Sequence, residues 1–224
     1  MSDTLLDSLP EDPDLDEIRV FLAPHIAEEA AFDGWTDEAL VLAAEAHDID
    51  PAVARLAYPE GAMDMIDAWI ESIDARMKAE FPEDRLDAMK IREKITELVW
   101  FRITAVMPQK EALRRAVSIM ALPQNAGRSA RISWRSSDLM WRMAGDTATD
   151  YNHYTKRTIL TGVYSTTLLC FLDDESDEYE DTRAFLERRI ENVMQFEKVK
   201  AKVLKRREGF DLTRFLGRLR YRAE

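Results

Sequence analysis

A chain of 224 residues is long enough for one large domain or two small ones. Its 46% hydrophobic and 33% charged residues are those of a soluble globular protein and exclude a disordered one. Seven glycines and eight prolines are too few for a many-turned β-sandwich or barrel, and the single cysteine, Cys170, excludes an intrachain disulfide and a CxxC metal knuckle.

Residues 1–13 hold Pro10 and Pro13, lack apolar periodicity and predict a flexible acidic leader. Helical patterning starts at Leu15, where Ile18, Phe21, Leu22 and Ile26 recur at helical spacing, and Pro24 is expected to kink or split that helix. Thr36-Asp-Glu-Ala opens a second helix with acids in its first turn, and Asp50-Pro51 caps a third that ends at Pro59 and Gly61. A fourth runs from Ala62 to Phe81. A fifth, from about Glu83, carries Ile91, Ile95, Leu98, Val99 and Arg102 on one face and ends before Pro108. The sixth reaches Leu122, the seventh lies between Gly127 and Gly145, and the eighth spans about Thr147 to Leu172. A ninth follows the acidic turn at Asp173–Asp177 and runs to Arg207, and a short tenth covers 211–222. The expected fold class is all-α. Its parts are the leader 1–13, an N-terminal part 14–82, a C-terminal helical part 83–207 and an amphipathic basic helix 210–222.

The net charge of −12 is unevenly spread. Residues 198–222 carry ten Lys or Arg against Glu208 and Asp211, a local +8 on a chain otherwise at −20. A basic end on an acidic protein points to an anionic surface, membrane or nucleic acid, or to a clasp of the tail on its own acidic body. In the last helix Leu212, Phe215, Leu216 and Leu219 share one face, with Arg214 and Arg218 beside it. That is the pattern of a helix lying in a membrane interface, and equally of one packed on the body or on a dimer mate. The longest uncharged run, Thr158–Leu172, is 15 residues and short of a membrane span, and the acidic N-terminus does not read as a signal peptide. A cytoplasmic location, peripheral to the inner face of the cytoplasmic membrane, is expected.

Residues 33–61 have the layout of a helix-turn-helix resembling the N-terminal part of TetR-type regulators, and a regulator with a small-ligand pocket is the alternative reading. This segment holds Asp33, Asp37, Glu38, Glu45, Asp48, Asp50 and Glu60 against Arg55 alone. Duplex binding replaces counterions with Lys and Arg, so the segment reads as a scaffold without nucleic-acid binding. The histidines His25, His47 and His153 fall in no HExxH or ExxH pattern, and there is no P-loop, G-x-S-x-G or G-x-G-x-x-G. No metal site, catalytic residue or cofactor is predicted. Asp146, Asp150 and Tyr154 fall on one helix face by spacing, in a surface or capping role.

The stretch Ser118–Asn125, then Asp138-Leu-Met-Trp141, Ala144-Gly-Asp146 and Thr149–Arg157, resembles the ubiquinone-biosynthesis accessory family Coq nine. Leu160–Tyr164, Asp181-Thr182 and Phe185–Ile190 continue the likeness, which covers about residues 15 to 200. The resemblance implies a TetR-like homodimer without enzymatic activity. It implies an isoprenoid or phospholipid ligand in a cavity of the C-terminal helices, and a membrane-contacting terminal helix. It also implies a surface patch for the di-iron hydroxylase of demethoxy-ubiquinone, falling here on Met140, Asp150, His153 and Tyr154. His153 stands where the mitochondrial pattern has tryptophan, and Leu139 where it has an acid. The side chains of Trp134, Met140, Trp141, Met143, Tyr151 and Tyr154 suit an adaptable contact surface, although half or more are expected in the core.

Overall fold

The computed structural model describes residues 9–147, 149 and 151–208, without the side chains of Tyr151 and residues 196–208. The described residues form ten α-helices and no strand. In chain order they are α1 Leu15–Asp33, α2 Asp37–Ala46, α3 Pro51–Ala57, α4 Ala62–Glu80, α5 Glu83–Asp87, α6 Ile91–Ala105, α7 Lys110–Met120, α8 Ala126–Met143, α9 Tyr151–Asp173 and α10 Glu180–Glu208. The terminal basic helix expected at 210–222 lies outside the described residues.

Local chemistry sets most helix ends. Asp14 and Glu17 close a capping box on α1, Thr36 caps α2 through the Ala39 amide, and Asp50 caps α3 with Pro51 in its first turn. Pro24 sits inside α1 without dividing it. Tertiary packing overrides the missing N–H, because α1 is held by α2, α3, α4 and α7 together. The fifth predicted helix is two: α5 ends at Asp87, and Lys90 restarts the chain as the extended N-cap of α6. Ile91 therefore leaves the core face and is 56% exposed, while Ile95, Leu98, Val99 and Arg102 are buried as their spacing predicts.

Two apolar cores result. The first joins α1–α4 to α7 and to Phe171 and Leu172 at the end of α9. Trp35 Nε1 donates to the Ala112 carbonyl at 2.9 Å, and the Tyr58 hydroxyl donates to the Arg19 carbonyl at 2.7 Å, pinning the α2–α3 pair to the body. Burial pushes the Tyr58 phenol well above its ordinary value. The His25 and His47 rings meet at 3.9 Å between centroids against Phe21, and burial followed by the His47 charge lowers His25. The second core joins Met77 and Phe81 to Leu98, Val99, Met140, Leu160, Leu186 and Ile190. The boundary at 82/83 thus separates helices but not cores.

The turn into α10 is held by Asp174. Its carboxylate accepts from the amides and hydroxyls of both Ser176 and Thr182. Burial alone would raise this carboxyl, but the four hydrogen bonds outweigh it and bring it down to about 2.

Between the cores lies a buried ion pair. Arg102, 1% exposed, donates to Asp74 and to Ser136 Oγ, with its guanidinium 5.0 Å from the Tyr164 ring centroid. Around it α4 presents Asp64, Asp67, Glu71 and Asp74 on one face, and α8 answers with Arg128 and Arg135. Arg102→Met is expected to cost about 3–5 kcal/mol, because it leaves the Asp74 carboxylate buried without its main partner. The double variant Arg102→Met/Asp74→Leu should recover more than half of that loss. Urea unfolding measures both. A single-variant cost below about 1 kcal/mol would show that the pair is not an effectively buried one.

Candidate functional site

An apolar cavity of about 290 Å³ opens among α6, α8, α9 and α10. Ile95, Trp141, Ile159, Leu160, Val163, Ile190, Val193 and Met194 supply its apolar lining, and the exposed Ile91 belongs to it too. Its polar groups are Arg92, Asn152, Thr155 and Lys156. Both cations are already matched: Arg92 pairs with Glu191, and Lys156 pairs with Asp146 at 2.6 Å.

The cavity residues of α9 fall at 152, 155, 156, 159, 160 and 163, one face of one helix. Tyr154 points elsewhere and is 61% exposed. Its ring lies 6.0 Å from Trp134 of α8 and 5.1 Å from His153, which is half-buried and 6.3 Å from Trp134. Of the four residues expected to form the partner patch, His153 and Tyr154 are thus brought together at the surface. Met140 is not part of it: it is fully buried in the second core, because α8 turns it inward with Ser136 and Ser137. Asp150 lies outside the described residues. Trp134 joins the patch instead, and its place among the bulky side chains of this region was the available signal. Among the five bulky residues of this region with described side chains only Met140 is fully in the core, and Trp141 walls the cavity.

The chain between α8 and α9 positions both features. Gly145, at φ +89°, ends α8 as the left-handed residue of a Schellman motif: its amide donates to the Arg142 carbonyl, and the Asp146 amide donates to that of Trp141. Asp146 is therefore not on the α9 face with Tyr154. Its side chain, 5% exposed, accepts from Lys156 and from Arg157 Nη1 at 2.9 Å. Arg157, 1% exposed, also donates to Asp138 and to the His153 carbonyl at 3.1 Å. Trp141 Nε1 donates to the Lys156 carbonyl at 3.0 Å, under the Lys156 ammonium. Burial alone would raise the Asp146 carboxyl, but the bonds from Lys156 and Arg157 hold it below the usual range.

On the α2–α3 pair the one cation is already engaged. Arg55 donates to both carboxylate oxygens of Asp37, at 2.8 and 2.7 Å. The outer face offers Leu42 and Leu56, 45% and 65% exposed, among acids. Leu212, Arg214, Phe215, Leu216, Arg218 and Leu219 lie outside the described residues. Among the described residues no cluster of three or more His, Cys, Asp or Glu forms a metal-binding set, and no helix is long and apolar enough to cross a membrane.

The α2–α3 pair under a body of longer helices defines a TetR-like all-α protein. A TetR transcriptional regulator from Nitrosomonas europaea matches with a TM-score of 0.62 over 77% of this chain and 95% of its own, at 22% identity, a likeness of fold alone. Within that fold, the chain belongs to the COQ9 family, whose profile matches residues 126–197. It is 33% identical over 168 residues to the mitochondrial ubiquinone biosynthesis protein COQ9 of Rattus norvegicus, covering 72% of this chain and 54% of that protein. The Homo sapiens protein of the same name is 31% identical over 72% of this chain and 52% of its own length. The chain spans about half the length of these relatives.

Gly145→Ala should cost about 1 kcal/mol, from the left-handed backbone alone, since no atom lies within 4 Å of the added Cβ. Asp146→Asn should cost about 2 kcal/mol near pH 7, moderated because Arg157 keeps Asp138. A depressed carboxyl stabilises the fold fully above its unfolded value and less as pH falls below it. The gap between wild type and Asp146→Asn should therefore close below the ordinary 3.8 of an aspartate. Denaturation at a series of pH values reads it. A gap that widened on acidification would contradict the assigned ion pairs.

Proposed function

We propose that this protein is a non-catalytic, lipid-binding accessory protein of ubiquinone biosynthesis. It takes part of a polyprenyl quinone intermediate, or of a phospholipid, into the α6–α8–α9–α10 cavity at the membrane surface. It offers the ring to the di-iron hydroxylase of demethoxy-ubiquinone, which docks on the Trp134–His153–Tyr154 patch. The observation that carries this reading is the shared helix: the first turns of α9 present the cavity lining and the patch on different faces. Family membership supports the pathway.

Size limits the binding mode. At about 290 Å³ the cavity lies at the foot of the roughly 300–1,000 Å³ range of pockets that enclose drug-sized ligands. Only part of a polyprenyl quinone fits, and the rest remains in lipid. Each CH₂ left in water costs about 0.8 kcal/mol, which is why such a carrier works at the bilayer rather than away from it. The basic terminal segment with Leu212, Phe215, Leu216 and Leu219 supplies the membrane contact in this reading. A homodimer forms on the outward face of α9, where Thr158, Gly162, Ser165, Thr166 and Leu169 are exposed without a single charge. The regulator alternative is disfavoured by the Asp37–Arg55 pair, which leaves α3 no free arginine for a base edge.

Two experiments test this. Native protein should carry a quinone or phospholipid detectable by mass spectrometry. Ile159→Trp, which fills the cavity, should reduce that cargo about tenfold without lowering Tm by more than a few degrees. Tyr154→Asp should leave folding and cargo intact while demethoxy-ubiquinone accumulates in cells, since a charge is driven into a desolvated contact. Cargo unchanged in Ile159→Trp rejects the cavity, and normal ubiquinone in Tyr154→Asp rejects the patch.

The membrane contact is tested by deleting residues 210–224. Truncation should leave the fold intact and reduce flotation with anionic liposomes several-fold. Neutral lipid should weaken binding of the full chain, as each Lys or Arg near an anionic leaflet contributes about 1 kcal/mol. Equal flotation of full-length and truncated protein removes the tail from the membrane interface.

A further inference from the structure

Beyond apolar packing, the α2–α3 pair is fastened to the body by one chemistry at its ends and by another at its turn. At the ends, Trp35 and Tyr58 donate to the Ala112 and Arg19 carbonyls, neutral hydrogen bonds that do not titrate near neutral pH. At the turn the contact is made by imidazoles. His47, the C-cap of α2, has its ring centroid 3.9 Å from that of His25 in α1. Phe21 of α1 closes the cluster, 5.1 Å from His25 and edge-on to His47 at 5.0 Å. Both imidazoles are half-buried, so water screens one from the other only in part. The charges that act on His25 are His47 and Glu28, whose carboxylate lies 3.9 Å from His25 Nδ1 and is 60% exposed. The turn itself carries Glu45, Asp48 and Asp50, all exposed, with Asp50 bound to the Ala52 amide. On the other elements packed against α1, Arg55 of α3, Asp64 of α4 and Arg115 of α7 are engaged by Asp37, Arg128 and Glu111. Arg19 of α1 is turned to the Ala57 carbonyl.

We propose that the His25–His47 contact is a pH-sensitive latch, which holds the α2–α3 turn against α1 while both rings are neutral and releases that turn locally when both are protonated. A single proton is tolerated, beside a neutral ring and Glu28. A second places like charges in ring contact, half shielded from water, with one exposed carboxylate to offset them. Burial and then the His47 charge lower His25, and Glu28 opposes them without cancelling them. In the released turn the ring titrates at its ordinary 6.5, so the open form binds more protons than the closed one. The hold is therefore complete above that value and weakens as pH falls from there through the lowered value of His25. Trp35 and Tyr58 keep the ends of the pair in place, which confines the opening to the turn. The latch is independent of the function proposed above.

Two measurements on the full chain test it. Imidazole C–H resonances, assigned through single His→Gln variants, should show His25 titrating below the ordinary 6.5 and moving up toward it in His47→Gln. Amide hydrogen exchange, corrected for the intrinsic rate at each pH, reads the opening itself. Protection of residues 44–52 should fall at least about threefold relative to α4 and α6 between about pH 7.5 and about pH 5.5. His25→Gln and His47→Gln each leave one ring that can charge beside a neutral amide, so neither variant should show that fall. A wild-type His25 that titrates at its ordinary value, or wild-type protection that does not fall locally, overturns the latch whatever the variants do. So does a His25 titration unmoved in His47→Gln, or a fall in protection of equal size in wild type and variants.

Discussion

A guanidinium buried between two apolar cores is the constraint around which this molecule is organised. Arg102 cannot be left without charge compensation at 1% exposure, so α6 must present it to Asp74 of α4. Ser136 of α8 and the Tyr164 ring of α9 then complete its surroundings. Four helices are thereby fixed in register at one point. Apolar packing alone would tolerate sliding by a turn, whereas a hydrogen-bonded ion pair does not. Two cavities sit at either end of α6 and α9 from this point, one among Ile91, Ile95 and Ile159, the other beside Arg102 itself.

How much of this was legible in the sequence depended on the range of the determining interaction. Caps are local, so Thr36 and Asp50-Pro51 announced the helices they begin. The apolar period placed Ile95, Leu98, Val99 and Arg102 on the buried face correctly. It could not name Asp74 as the partner of Arg102, which lies 28 residues away. Pro24 misled for the converse reason: a local rule yielded to contacts from four other helices. Met140 misled because the family pattern marks a region, and within that region the helix phase decides which side chain reaches the surface. The lining of the cavities was not legible, since Ile159 and Leu160 read as core residues in any sequence.

The α2–α3 pair is held to the body by specific contacts. Trp35, Tyr58 and the His25–His47 contact all hold it to α1 and the body, and none of these groups faces outward as a reader of bases would. The outward groups include Asp37, Glu38, Leu42, Arg55 and Leu56, acidic and apolar, with the arginine bound to Asp37 through Nε and Nη2. Even the turn between the two helices uses Asp48 at φ +56° where a glycine would be less strained, adding another acid to the face. The TetR-like fold is therefore present with an acidic and apolar outer face on its α2–α3 pair.

The connection between α8 and α9 links the cavity wall to the His153–Tyr154 surface through a few residues. Arg157 holds the His153 carbonyl, Asp138 and Asp146 at once, and Asp146 in turn holds Lys156 of the cavity. Trp141 belongs to the cavity wall and is tied to the Lys156 carbonyl. A ligand that shifts Lys156 or Trp141 must therefore either break charge-assisted hydrogen bonds to a buried carboxylate or carry the first turn of α9 with it. His153 and Tyr154 lie on that turn. The same network thus ties the cavity wall at Lys156 and Trp141 to the helical turn that carries the exposed tyrosine.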